Sequence, residues 1–505
     1  MKKKRRINLT AVFCAPFLFL GLLCIFSAGW YLRVFGRMSY IAMITTLTFN
    51  AGSTEKGMLL SYVTGGLLPA VGAWGICMFL LFCPAKRRVV LKGKEKGKGI
   101  RLFPLPRWLA ATVSAVMTGV LIFVAAKEVD LISYFKYIYS KPTTFFEERN
   151  TDPKQTGITF PENKRNLIVI YLESMETSFL SEKYHGGNDV DPMPELCRLA
   201  KENINFSQNE TVGGFASPYG TDWTIAALIA STSGVPLKLP DRFLANGNEF
   251  GSDGKLLPGV TTLNDILKEN GYYQAFMCGS DATFGNRKLY FEEHGVDDVF
   301  DLLTAREEGF VPKDYEVWWG IEDEKLFEYA KLKLTEMSKG DKPFAFSMLT
   351  ADTHHVGGYY CRLCQNKFPE RYENVIACSS RQVYAFVNWL KKQDFYEDTA
   401  IVILGDHPTM DNEFVTENIT PGYDRRVYNC FINSSVKVGR IKYREVSTFD
   451  MFPTILAAMG CEIAGDRLGL GCNLFSLEDT LLEEMGKAEL NGKLAEKSEY
   501  YNKFY

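Results

Sequence analysis

Residues 166–173 read Asn-Leu-Ile-Val-Ile-Tyr-Leu-Glu, a run of apolar, β-favouring side chains that stops on a carboxylate. A continuous apolar run without polar alternation marks a strand buried on both faces, as in a parallel sheet covered by helices. Three further segments repeat the pattern. Tyr273–Met277 ends at Cys278-Gly279-Ser280-Asp281, Phe344–Leu349 at Thr350-Ala351-Asp352-Thr353-His354-His355, and Ala400–Leu404 at Gly405-Asp406-His407. Amphipathic segments separate these runs, so from about Asn163 the chain predicts βα units and an α/β fold, a mainly parallel sheet flanked by helices. Ligands of open α/β sheets bind outside the carboxyl ends of the strands, where all four polar endings fall.

Those endings have chemical sense together. Glu173, Asp406 and His407 offer two carboxylates and an imidazole, a donor set suited to one divalent cation such as Mn²⁺, Mg²⁺ or Zn²⁺. The chain has five histidines, and three of them (His354, His355, His407) stand at strand ends. Taken singly, Glu173 reads as a helix cap and His407 as a loop histidine; their joint placement favours a site. A nucleophile comes from Gly220-Thr-Asp-Trp-Thr224, a polar turn leading into a small-residue helix that runs to Gly234. A hydroxyl at that helix start sits in the positive end of the dipole, where backbone N–H groups also hold phosphate. Helix capping is the structural alternative for Thr224, and Thr221 is the competing nucleophile. Asp323, in Trp318-Trp-Gly-Ile-Glu-Asp323, reads as a helix cap near the site.

The preceding quarter has a different solvent. Residues 9–32, 58–83 and 108–126 are apolar stretches long enough to cross a bilayer, which takes roughly 20 helical residues. A shorter stretch, 40–50, reads as interfacial or re-entrant. The basic Lys2–Arg6 segment resembles the start of a signal peptide, but the apolar run after it is too long and further spans follow. Residues 1–127 carry 18 Lys/Arg against 2 Asp/Glu, whereas the remainder carries 39 against 58. Five of those positive residues lie in Lys2–Arg6 and nine in 86–107, which places the N-terminus and that loop in the cytoplasm and everything after Lys127 outside. An acidic outer bulk argues against nucleic-acid binding, and 13% aromatic residues argue against disorder. The expected organisation is therefore a transmembrane region (1–127), a linker (128–162), an extracytoplasmic catalytic domain (163–482) and a charged tail (483–505), a solvated helix or disordered. Cys361-Arg-Leu-Cys364 is the one close cysteine pair. With no second pair at that spacing, it reads as a local disulfide of an oxidising compartment rather than a zinc half-site.

Several of these motifs, in this order, resemble the membrane-anchored phosphoglycerol transferases of the lipoteichoic acid synthase type, in the alkaline phosphatase–sulfatase superfamily. The resemblance covers about Asn163–Ser476 and rests on five blocks. These are Asn166–Glu176, Gly279–Arg287, Asp352–His355, Gly405–Pro408 and Ser447–Thr454. It implies a sulfatase/alkaline-phosphatase-like fold. It also implies a single Mn²⁺-like ion on Glu173, Thr224, Asp406 and His407, with Thr224 doubling as nucleophile. Gly234, ten residues beyond Thr224, matches the family's nucleophile-to-glycine spacing. Arg287 and His354 are then expected to contact the phosphate or glycerol, with Asn286 and His355 as further substrate-binding candidates.

The reaction the resemblance implies is a ping-pong transfer of glycerophosphate from phosphatidylglycerol, through a phosphorylated threonine, to a cell-envelope acceptor such as a lipoteichoic acid-type polymer or a glycan. His354 is expected to protonate the leaving oxygen. Thr224 is followed by Ile225-Ala226-Ala227-Leu228, without the C/S-x-P-x-R pattern from which sulfatases make formylglycine, which argues against arylsulfatase activity. A phosphoethanolamine transferase, a phosphodiesterase with water as acceptor and a non-catalytic scaffold are the alternatives.

Overall fold

The computed structural model describes residues 9–35, 56–82, 106–238, 255–436 and 439–505. The apolar stretch at 40–50 and most of the basic loop at 86–107 lie outside the described residues. The chain forms two compact units, the described residues up to Lys136 and Tyr137–Tyr505.

The first unit is helical. Leu9–Val34, Leu59–Phe82 and Arg107–Glu128 are each long and apolar enough to cross a membrane. Helix α1 (Leu9–Phe35) lies so close to α3 (Arg107–Glu128) that a side chain at Gly21 would meet the Thr118 backbone at 3.0 Å. Small residues at such a crossing let apolar helices pack where burial from water gives no drive. The second span, interrupted by a π-turn at Val63–Leu67 before α2 (Leu68–Phe82), is tied to α1 by polar side chains. Trp74 Nε1 donates to the Ala15 carbonyl at 2.9 Å, Trp30 Nε1 to Ser61 Oγ at 3.0 Å, and Arg33 Nη2 to the Gly65 carbonyl at 3.0 Å.

The second unit is built on a seven-stranded sheet. Its strands are β1 (Asn166–Leu172), β2 (Gly214–Phe215), β3 (Tyr273–Cys278), β4 (Asp298–Phe300), β5 (Phe344–Leu349), β6 (Thr399–Gly405) and β7 (Val427–Ile432). The order is β2-β7-β6-β1-β5-β3-β4. Strands β6, β1, β5, β3 and β4 run parallel, and β7 and β2 are antiparallel. The four strands expected from the apolar runs are thus the centre of the sheet, and β1 is the middle one. Alternate residues of β1 enter two cores. Ile168, Ile170 and Leu172 pack with helices α5 (Asp323–Met337) and α6 (Arg371–Leu390). On the opposite face Tyr171 shares a 3.1 Å hydrogen bond with Ser231 of α4 (Thr224–Ser233). Burial on both sides explains why these strands carry no polar alternation.

Three expectations need correction. The C-terminal tail forms the expected helix, but a packed one rather than a solvated one. Helix α7 (Leu481–Ala495) begins with a Thr480–Glu483 capping box, and Glu483 accepts from the buried Arg444 at 2.7 Å. Leu490, Leu494, Tyr501 and Phe504 are buried, apolar positions that mixed charge conceals in a plain reading. The expected linker is also structured. Phe145 and Phe146 are buried, Phe146 against Tyr501, and Ile158–Thr159 pairs with Glu462–Ile463. Cys361 and Cys364 are free thiols rather than a disulfide, and a third cysteine, Cys378, joins them.

Candidate active site

The parallel register sets Leu172 beside Gly405, so the next residues on each strand, Glu173 and Asp406, emerge side by side. Gly405 is required there. A Cβ on it would lie 2.0 Å from the Met175 carbonyl, because the 173–176 turn folds directly over the end of β6. Within that turn Ser174 takes a left-handed φ of 54°. This strained conformation aims its N–H at Asp406 Oδ1 (2.8 Å) and its hydroxyl at Glu173 Oε1 (2.7 Å).

Glu173, Asp406 and His407 are buried and present donor atoms all within 4.8 Å of one another. His407 Nδ1 faces the Pro408 carbonyl at 2.9 Å, which makes Nδ1 the protonated nitrogen and leaves the Nε2 lone pair for the site. That Nε2 lies 3.6 Å from Glu173 Oε1 and 3.4 Å from Asp406 Oδ2. Asp406 Oδ1 is satisfied by the Ser174 and His407 amides, whereas Oδ2 is buried with no hydrogen-bond donor. The hydroxyl of Thr224 completes the group, 3.4 Å from Glu173 Oε2 and 3.3 Å from His407 Nε2.

Helix capping does not account for Thr224. The N-cap of α4 is Trp223, with no side-chain cap, and Thr224 is the first helical residue. The first intrahelical bond runs from Ala227 N to the Trp223 carbonyl, so the amides of Thr224, Ile225 and Ala226 precede it and face outward with the dipole. At the other end Gly234 closes α4 at a φ of 70°, a conformation that glycine adopts without strain. Thr221, by contrast, is buried and spends its hydroxyl on the Pro218 carbonyl at 2.8 Å.

The electrostatics are those of a cluster that wants positive charge. Burial pushes the Asp406 carboxyl up to about 7, and the neighbouring Glu173 charge adds to this against the pull of His407. Burial opposes protonation of His407, but the Asp406 and Glu173 carboxylates outweigh it and raise that imidazole. Glu173 is lowered: burial acts upward, yet His354, His407 and the Ser174 hydroxyl together overcome it. His354 is held below its ordinary value by burial despite the Glu173 charge.

The other expected residues divide. His354 stacks between His355 (centroids 4.6 Å) and Trp319 (4.3 Å), with Nδ1 turned to the His355 carbonyl at 2.8 Å. Arg287 is buried, and its guanidinium donates to the backbone carbonyls of Phe284 (3.1 Å) and Asp281 (2.6 Å) while its charge still reaches His354. Asn286 holds a left-handed φ of 58° just before Arg287 and caps nothing. Asp323 is not a cap: Glu322 holds the N-cap position, and Asp323 Oδ1 accepts from the Ala351 amide at 2.7 Å.

Several supporting residues escaped sequence reasoning. Glu176 is fully buried and clamped by Arg425, whose Nε donates to Oε2 at 2.8 Å and whose Nη2 reaches both Oε1 and, at 2.7 Å, the Thr409 carbonyl. This pair ties the turn after β1 to the turn after β6. Thr350 Oγ1 accepts from the Glu173 amide at 3.0 Å, and Thr353 Oγ1 donates to the Glu173 carbonyl at 2.5 Å. Asp222 is raised by burial and feels His407, and its Oδ1 has no hydrogen-bond partner. The only signal for Glu176 was a second carboxylate three residues after Glu173, in the short polar turn that follows the apolar run of β1.

Comparison with known proteins bears on this site. The chain is 31% identical over 278 residues to phosphoglycerol transferase I of Escherichia coli, covering 53% of this chain and 34% of that protein. It is 29% identical over 387 residues to phosphoglycerol transferase I of Xanthomonas campestris, covering 75% of this chain and 52% of that one. The chain thus spans between a third and about half of the length of these curated relatives. Among solved structures it is similar to the lipoteichoic acid synthase LtaP from Listeria monocytogenes, at 18% identity over 64% of this chain and 79% of that chain with a TM-score of 0.48. It is also similar to the lipooligosaccharide phosphoethanolamine transferase A from Neisseria meningitidis, at 14% identity over 88% and 83% with a TM-score of 0.47. Residues 165–461, which run from the residue before β1 to just beyond the Ser447–Thr454 block and enclose the whole cluster, match the Sulfatase family model, and the chain belongs to the sulfatase family.

Proposed function

We propose that this chain is a membrane-anchored, metal-dependent phosphoglycerol transferase that moves glycerophosphate from phosphatidylglycerol to a hydroxyl of a cell-envelope acceptor, through an intermediate on Thr224. The observation that carries the reading is the Thr224 hydroxyl at the start of α4, within 3.4 Å of both Glu173 Oε2 and His407 Nε2. The names of the curated relatives support glycerophosphate as the transferred group. Three apolar helices fit an anchor in the leaflet that holds a lipid donor, and the excess of Lys/Arg before Lys127 supports an outward-facing second unit.

The residues fit a divalent cation. Two carboxylates, an imidazole Nε2 and a hydroxyl converge, and the buried Asp406 Oδ2 has no donor of its own. Asp406 is raised by burial and by the Glu173 charge, and His407 by the two carboxylates against burial, the pattern of a cluster short of positive charge. Glu173, Thr224, Asp406 and His407 would hold the ion; the mixed oxygen and nitrogen donors suit Mn²⁺, Mg²⁺ or Zn²⁺, and the family resemblance selects Mn²⁺ among them. When bound, such an ion lowers the pKa of a coordinated hydroxyl and offsets charge on phosphoryl oxygens.

The protein's own groups then divide the work. Glu173 Oε2 is placed to take the Thr224 proton as Oγ1 attacks phosphorus, forming a Thr–O–P bond and breaking the bond to diacylglycerol, whose alkoxide takes up a proton. The free amides at the start of α4 face the phosphoryl oxygens, fixed donors that need no reorganisation. His354, held neutral by burial and with Nδ1 donating to its neighbour's carbonyl, has an Nε2 lone pair suited to accept the acceptor's hydroxyl proton in the second half-reaction. Its ground state therefore suits the base step better than the acid step expected from the sequence. Arg287 contributes charge and holds the 281–287 loop.

The test is incubation of the full chain in detergent–lipid micelles with labelled phosphatidylglycerol and Mn²⁺, beside Thr224→Ala. Metal-dependent diacylglycerol release that disappears in the variant is expected. Turnover of phosphatidylethanolamine instead, or release of free glycerophosphate without transfer, would replace the reading with a phosphoethanolamine transferase or a phosphodiesterase.

A further inference from the structure

A second donor cluster lies beyond the histidine loop. Cys361 Sγ is 3.7 Å from Cys364 Sγ and 3.6 Å from Cys378 Sγ, and the three sulfurs all lie within 4.8 Å of one another. We propose that Cys361, Cys364 and Cys378 bind a zinc ion as a trithiolate site, separate from the Glu173–Asp406–His407 cluster.

Geometry decides against the simpler reading. A disulfide needs sulfurs about 2.05 Å apart. Four sulfurs around zinc, each about 2.3 Å from the metal, sit about 3.8 Å from one another along the edges of a tetrahedron. The two measured separations lie close to that edge. Three cysteines also cannot all pair within one chain, whereas three thiolates leave a fourth position for water or an exogenous ligand.

The surroundings are those of a thiolate site. The Cys364 N–H donates to the Cys361 carbonyl at 3.1 Å, a tight turn that keeps the two sulfurs 3.7 Å apart on the same side. Gln382 Nε2 donates to Cys378 Sγ at 3.6 Å from one turn further along α6. Arg381 reaches back to the Leu363 carbonyl at 3.2 Å. Three thiols that each lose a proton to solvent as they bind one Zn²⁺ leave a net charge of minus one, which the Gln382 amide and the adjacent Arg381 accommodate. Cys361 and Cys378 are buried, while Cys364 is only partly so, which leaves that side open for the ion to enter.

The site has an evident consequence. Cys361 and Cys364 belong to the loop that starts at Thr350 and carries His354, and Cys378 sits in the middle of α6. Two hydrogen bonds already hold the same loop to that helix, Tyr372 Oη to the Thr353 carbonyl at 2.6 Å and Arg371 Nη1 to the Gly357 carbonyl at 2.9 Å. Zinc at the cysteines clips the far end of the loop and fixes the position of His354.

The experiment is zinc content per chain, by elemental mass spectrometry, on full-length protein purified in detergent. Two proteins are compared, an Asp406→Asn/His407→Ala background that disables the other cluster and the same background with Cys364→Ser. One zinc per chain is expected in the first and none in the second. Loading the wild-type chain with Co²⁺ gives an independent readout that needs no variant, since thiolate-to-cobalt charge-transfer absorption is expected. Absence of zinc from the first protein, zinc that persists after Cys364→Ser, or a Cys361–Cys364 disulfide in peptide maps would each overturn the assignment.

Discussion

The two donor clusters of the second unit are built on opposite plans. Glu173, Asp406, His407 and Thr224 come from chain segments as far as 234 positions apart, brought together by the register of β1 against β6 and by one helix start. Cys361, Cys364 and Cys378 lie within 18 residues, on one loop and the helix that follows it. The first set is hard oxygen and imidazole nitrogen gathered at strand ends; the second is soft sulfur on the loop after β5 and on α6. Reaction needs an ion that exchanges ligands with a phosphoryl group, which oxygen donors permit. Tethering a loop needs an ion that stays, which thiolates provide.

Removing a hard ligand should therefore cost most. Asp406→Ala is expected to lower turnover on the order of 10³-fold or more, as loss of a central electrostatic element does. Cys364→Ser should cost about 10-fold, the scale of a supporting contact. A diacylglycerol-release assay on both variants checks this, and equal losses would break the distinction between the clusters. Next comes the clamp that holds the turn after β1 to the turn after β6. Arg425→Ala leaves the fully buried Glu176 without its partner, and about 3–5 kcal/mol of the second unit's stability should be lost, read as a drop in thermal midpoint.

A smaller effect follows from orientation alone. Ser174→Ala removes the 2.7 Å hydroxyl contact that aims Glu173 Oε1, and Mn²⁺ affinity should fall about 10- to 100-fold by titration calorimetry with little change in stability. The smallest is a pH effect between the clusters. Burial, then the neighbouring Asp323 carboxyl, pushes Asp352 up to about 10, and burial pushes Asp323 up to about 7, each from an ordinary 3.8. The folded chain thus binds more protons than the unfolded chain above 3.8, and stability falls as pH rises through these values. Asp352→Asn should flatten the change in thermal midpoint between about pH 5 and about pH 8.

What the sequence revealed follows the same division. Parallel strands buried on both faces write themselves as apolar runs, and a residue that ends such a run is placed by the sheet itself. Glu173, Asp406 and His407 were legible for that reason, and Thr224 because a small-residue helix begins there. Partners fixed by tertiary packing left no comparable mark. Glu176 and Arg425 are 249 positions apart. Cys378 lies inside an amphipathic helix where a cysteine reads as core, so the pair at 361 and 364 looked complete without it. The packing of 483–505 was hidden because charged residues outnumber its apolar contacts, although the Thr480–Glu483 capping box stands openly in the sequence.

The central claim is that Thr224 carries the transferred group. The most direct measurement is rapid acid quench of the full chain during turnover of labelled phosphatidylglycerol, followed by peptide mapping by mass spectrometry. Glycerophosphate on the peptide at Thr224, absent from Thr224→Ala, is the predicted result; label on another residue, or turnover with no covalent label at any time, would contradict it.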